Sequence, residues 1–158
     1  MAYPGHRRLP NFIPNREPEG EVRWLFKPEG HVDPASLDWY IDASLVDGTL
    51  GPCARYGAAA VAVDDRGHLV AAWKGVPPAH VDSIGEAEAW ALATVLLETP
   101  SRNRVFTDCK ANLDFLAAGP VAATNGNMRS ARIWRTIFAA LDREDECTAE
   151  DIDRENND

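Results

Sequence analysis

The stretch RYGAAAVAVDDRGHLVAAWKGV, residues 55 to 76, leaves few ways to fold. Two apolar, β-branched runs, about 56 to 64 and 68 to 76, are separated by Asp64-Asp65-Arg66-Gly67. Three of those four, Asp64, Asp65 and Gly67, are turn formers. A connection that short can join only antiparallel neighbours, so the spacing predicts a hairpin. Upstream, LDWYIDASLVDG alternates, with Trp39, Ile41, Ala43 and Leu45 on one face and Tyr40, Asp42 and Ser44 on the other. It closes in the turn pair Asp47-Gly48. Three consecutive antiparallel strands follow.

Pro77-Pro78 stops the third strand, because proline removes a ladder donor. A helix is expected from about Ser83 to Glu98, ended by Thr99-Pro100. RVFTD at 104 to 108 is a short apolar run suited to a buried strand. CKANLDFLAAG reads as a helix ending at Gly119, and residues 128 to 142 as another, with Ile133, Ile137 and Leu141 along one stripe. The order β-β-β-α-β-α-α is that of an α/β or α+β domain on a mixed sheet.

Six of the eleven prolines fall in the first 35 residues, so residues 1–36 are expected to form an extended arm. Residues 37–142 form the domain, and 143–158 an acidic tail. Nine acidic residues against Arg143 and Arg154 place seven of the nine net negative charges between Asp142 and Asp158. With Ile152 as its one large aliphatic, that tail is expected to be disordered. The rest of the chain is near neutral, which argues against a general nucleic-acid binder with a basic face. Cys53, Cys109 and Cys147 are odd in number and form no CxxC pair, so a disulfide framework and a zinc site are both disfavoured. No segment approaches the ~20 apolar residues of a membrane span or the apolar core of a signal peptide, so an intracellular protein, cytoplasmic or nuclear, is expected, with no membrane partner. No Gly-rich phosphate loop follows a strand, which weakens a nucleotide-binding reading and predicts no small-molecule cofactor.

Three carboxylates sit where carboxylates are disfavoured. Ser83-Ile84-Gly85-Glu86 fits a capping box, giving Glu86 a structural role. Glu88 shares its helix face with Ala91, Leu92, Val95 and Leu96, a stripe meant for the core, and a lone buried carboxylate is costly unless paired, hydrogen-bonded or bound to metal. A fraying first turn that lets Glu88 reach solvent is the plainer alternative. Asp42 lies mid-strand, where aspartate is depleted; a solvent-facing edge position would explain it without function. Asp108 closes the fourth strand, and helix capping would account for it equally well. If the first and fourth strands are neighbours crossed by the helix, all three converge at one end of the sheet. Hard cations would then relieve their repulsion, with Mg²⁺ the natural choice and Mn²⁺ an alternative.

YIDAS, EAEAWAL and VFTDCKANLDFL together resemble the strand, helix and strand motifs of type 1 ribonuclease H in the form carried by retroelements. The resemblance spans about residues 37 to 142. It implies a ribonuclease H-like fold, metal ligation and catalysis by Asp42, Glu88 and Asp108, and two-metal hydrolysis of the RNA strand of an RNA/DNA hybrid. Ser44 and Lys110, each two residues past an expected ligand, are candidate substrate contacts. The chain departs from the family where Ala43 replaces a glycine. It departs again after Leu141, where a further strand, a histidine loop and a helix with a fourth acid are absent; Asp151, Asp153 and Asp158 are the remaining acids that could imitate it. The alternative implied is a catalytically inactive retroelement remnant or interaction module.

Overall fold

The computed structural model describes residues 20–46, 55–99 and 103–142. It contains a five-stranded mixed sheet: β1 (Glu21–Phe26), β2 (Asp38–Val46), β3 (Arg55–Val63), β4 (Leu69–Val76) and β5 (Arg104–Phe106), in the order β1-β4-β3-β2-β5. The helices are α1 (Ile84–Glu98), α2 (Lys110–Ala118), the one-turn α3 (Pro120–Ala123), and α4 over residues 131–142. The expected class is therefore found: an antiparallel β2-β3-β4 meander, then helix, strand and helices.

One strand was not expected. Residues 21–26 of the proline-rich segment form β1, antiparallel to β4 with Trp24 opposite Trp73. No proline falls within residues 21–26, so none removes a ladder donor from this strand. The remainder of the expected arm before Gly20, the Asp47-Gly48 turn, Pro100, the acidic tail with Asp151, Asp153 and Asp158, and the cysteines at 53 and 147 lie outside the described residues.

The β3–β4 turn closes as its residues dictate. Gly67 takes φ +80°, its N–H bonds the Asp64 carbonyl at 3.0 Å, and the Asp64 carboxylate accepts from the N–H groups of Arg66 and His68. Beyond the hairpin, β5 lies parallel to β2, reached through the α1 crossover.

Strand alternation decides the two faces of the sheet. Trp39, Ile41, Ala58, Ala60, Ala62, Ala71 and Trp73 point to one side and are buried. α1 packs there with Ala87, Trp90, Ala91 and Val95 at or near zero exposure, and α4 adds Ile133, Trp134 and Ile137 to the same cluster. Alanines on β3 and β4 leave room for indoles: Trp73 and Trp90 meet edge to face at 6.0 Å. Gly75 is needed for that fit, since a Cβ there would stand 2.8 Å from the Trp90 ring and 2.7 Å from the Glu21 carbonyl oxygen. The opposite face carries Arg23, Tyr40, Asp42, Ser44, Ala59, Lys74 and Phe106, all exposed.

Candidate functional site

β5 ends early. Its last ladder partner is Phe106 opposite Tyr40, where the two rings stack at 4.9 Å with 14° between planes. Past that pair β2 continues to Val46 while the other chain turns into α2, so the two parallel strands part at their carboxyl ends. Crevices at the carboxyl ends of parallel strands are where open sheets of this kind place their sites. Asp42 lies on β2 and Thr107-Asp108 follow β5 at this opening; the first turns of α1 bring in Glu88.

Glu88 is buried, with 3% of its surface exposed. The fraying alternative thus fails: the helix is intact from Ile84 and the carboxylate lies inside. Its Oε1 accepts a 2.5 Å hydrogen bond from the Thr107 hydroxyl, which in turn accepts from the Cys109 N–H at 3.1 Å. Burial raises the Glu88 pKa above its ordinary 4.5; the Thr107 bond pulls it back, and Asp108 and then Asp42 push it up again. Asp108 has the larger effect of the two, and both act through their negative charge. Like charges sharing a site favour one retained proton.

Asp108 is exposed and caps nothing. The N-cap of α2 is Cys109, whose side chain makes no capping bond, so helix capping does not account for Asp108. Asp42 is exposed on the open face, with Oδ1 accepting from the adjacent Ala43 N–H at 2.8 Å. It is not on an edge strand, since β2 runs between β3 and β5, although β5 has ended by this register.

Glu86 faces elsewhere, as expected. Ser83 Oγ accepts from the Glu86 N–H at 3.1 Å, the first half of a capping box. The return arm differs: Glu86 Oε2 accepts from the N–H of Asp82, one residue earlier than the motif requires, at 3.1 Å. Partial burial lifts its pKa too.

The two candidate substrate contacts separate. Ser44 stands two residues from Asp42 on the same open face. Lys110 opens α2, is exposed, and forms no ion pair among the described residues. Sequence reasoning gave Thr107 no role, yet it orients the buried carboxylate. It also passed over Asn112, which is 4% exposed and donates to the Gly85 carbonyl at 3.2 Å, tying α2 to the start of α1. Both lie in VFTDCKANLDFL, where a polar residue ending a buried strand and another on an apolar helix were the available signals.

Oxygen donors of this kind suit a hard cation, and Mg²⁺ is commonly held by only one or two carboxylates with water and substrate oxygens completing its shell. Glu88 and Asp108 match that minimal set. They do not make a full cage: among the described residues no group of three or more His, Cys, Asp or Glu is placed to hold an ion. Among the described residues, too, no helix is long and apolar enough to cross a membrane. No family model, curated protein or solved structure matches the chain.

Proposed function

We propose that the chain is a ribonuclease H-like hydrolase that cleaves the RNA strand of an RNA/DNA hybrid with Mg²⁺, or Mn²⁺, held by Glu88 and Asp108. The observation that carries the reading is the buried Glu88 carboxylate at the mouth between β2 and β5, with the exposed Asp108 near enough for its charge to raise the Glu88 pKa. A fold gains nothing from such a pair, because burying a carboxylate and then placing a second against it costs stability twice.

Within this site the residues divide by exposure. Glu88 is the fixed member, held by Thr107 and by burial on α1. Asp108 and Asp42 are the exposed members and meet substrate, one from each side of the mouth. The raised proton affinity of Glu88 means that a bound cation would compete with a proton there. Bound Mg²⁺ would neutralise the pair and polarise a phosphate oxygen. With two carboxylates to hold it, one ion is expected and its affinity is modest.

A second reading, an inactive ribonuclease H-like module, is favoured by one observation: Thr107 already occupies a Glu88 oxygen, and the third acid acts only at a distance. Cleavage of an end-labelled RNA/DNA hybrid separates the two. Mg²⁺-dependent products that disappear in Glu88→Gln and Asp108→Asn support the hydrolase; equal product from wild type and both variants, or none from wild type at any Mg²⁺ or Mn²⁺ concentration, supports the inactive module.

A further inference from the structure

The open face of the sheet carries a trough about 510 Å³ in volume that runs across β1, β4, β3 and β2. Its register is explicit: Arg23 stands opposite Lys74, Lys74 opposite Ala59, and Ala59 opposite Asp42. At ~4.8 Å between strands, that row spans about 14 Å. One end carries Arg23 and Lys74 with Glu21 beside them, the middle is floored by Ala59 and Gly57, and the far end is Asp42, whose charge reaches Glu88.

Like charges directly opposite each other on paired strands destabilise a sheet unless something neutralises them. Arg23 and Lys74 are both exposed, and neither forms an ion pair among the described residues, although Glu21 and Asp42 line the same trough. Two adjacent exposed cations that form an ion pair with neither of those carboxylates suit a phosphate. The floor suits one as well. At Gly57 an added Cβ would stand 3.4 Å from Ser44 Oγ, and Ala59 contributes only a methyl group, so the backbone of a ligand can lie close to the sheet.

We infer that Arg23 and Lys74 form a phosphate clamp that holds the sugar-phosphate backbone of the RNA/DNA hybrid and leads it along the trough toward Asp42. This rests on the hydrolase reading for where the strand leads; the anion site itself stands on the cation pair and the trough. A trough that crosses four strands of the open face fits a continuous backbone better than a free small anion. The clamp depends on β1, the strand that pairs Arg23 against Lys74.

Binding of a fluorescently labelled RNA/DNA hybrid, followed by anisotropy in EDTA so that nothing is cleaved, tests the clamp. Arg23→Ala/Lys74→Ala is expected to weaken binding about tenfold and to lower the slope of log K against log salt by about 2, one for each phosphate that is no longer neutralised. Ala59→Leu, which fills the floor at an exposed position, is expected to weaken binding without removing charge. Arg66→Ala, which deletes a cation at the β3–β4 turn outside the trough, should bind as wild type. Competition by inorganic phosphate at concentrations far below those that screen by ionic strength would point instead to a small-anion site and overturn the assignment. So would wild-type affinity in the double variant, or an equal loss in Arg66→Ala. Both trough variants are checked for wild-type melting; if the double variant fails to fold, Ala59→Leu decides. Glu88→Gln should retain full binding while losing cleavage; wild type that binds through Arg23 and Lys74 yet gives no cleavage at any Mg²⁺ or Mn²⁺ concentration defeats the hydrolase and leaves the clamp standing. Cleavage with binding indifferent to Arg23 and Lys74 does the reverse.

Discussion

Thr107→Val removes a single oxygen and should unsettle two groups at once. The valine nearly matches threonine in volume, so packing beside α1 is kept. What disappears is the 2.5 Å bond to the Glu88 carboxylate and the acceptor for the Cys109 N–H at 3.1 Å. A hydrogen bond to a charged group contributes about 1.5–3 kcal/mol and a neutral one about 1 kcal/mol. Glu88 is buried and cannot recover the missing bond from solvent, so the larger figure applies to it, whereas the Cys109 N–H at the open start of α2 can turn to water. The expected cost at neutral pH is therefore about 2–3 kcal/mol.

The pH dependence of that cost has a definite sign. The folded pKa of Glu88 is raised above its ordinary 4.5, so ionised Glu88 already lowers stability above the folded pKa, and the penalty fades as pH falls toward 4.5. Thr107 donates to the ionised form, and its removal raises the folded pKa further. The Thr107→Val penalty should hence be largest at neutral pH and shrink as pH falls through the folded pKa of Glu88 in both proteins. Asp42 and Asp108 are present in both proteins, so the difference between variant and wild type isolates Glu88. Urea unfolding of the two proteins across this pH range measures it. A penalty under about 0.5 kcal/mol, or one that does not change with pH, would show that the Thr107–Glu88 bond does not hold the carboxylate as described.

Asp108→Asn should raise the metal-free melting temperature by about 2–4 °C, since it removes the charge facing Glu88 and no cap is lost, the N-cap being Cys109. A clear drop would refute the repulsive pair. Gly75→Ala should cost about 1–3 kcal/mol because its Cβ meets the Trp90 ring at 2.8 Å, and hydrogen exchange should quicken in β1, where Val22 pairs with Gly75. Unchanged β1 protection would mean the strand is anchored elsewhere. Trp134→Ala should cost about 3–5 kcal/mol by denaturant unfolding, because the indole is fully buried between Phe115 at 5.5 Å and Phe138 at 6.0 Å.

The meander was legible because short turns admit few alternatives: Asp64-Asp65-Arg66-Gly67 closes the hairpin with the bonds its residues favour. Glu88 was legible for a different reason, since a charge on an apolar stripe contradicts its surroundings. β1 was hidden by composition. Proline density over residues 1–36 outweighed six proline-free residues whose Val22 and Trp24 alternate with Arg23, and only the edge of β4, distant in sequence, gives that segment a partner. The reach of Glu86 to Asp82 rather than Ser83 was equally invisible, because a capping box and this variant have the same residues and differ only in how the chain enters the helix. Thr107 was missed since its value arises from Glu88, which stands 19 positions earlier in the chain.

The chemistry proposed for the mouth between β2 and β5 requires Glu88 and Asp108 to act as one cation-binding element. Titrating Mn²⁺ into isotopically labelled protein and following paramagnetic broadening of backbone resonances measures this directly. The expected result is a single broadened region covering the start of α1, Thr107-Asp108 and the middle of β2, abolished by Glu88→Gln and by Asp108→Asn. Broadening centred elsewhere, or unchanged in both variants, would contradict it.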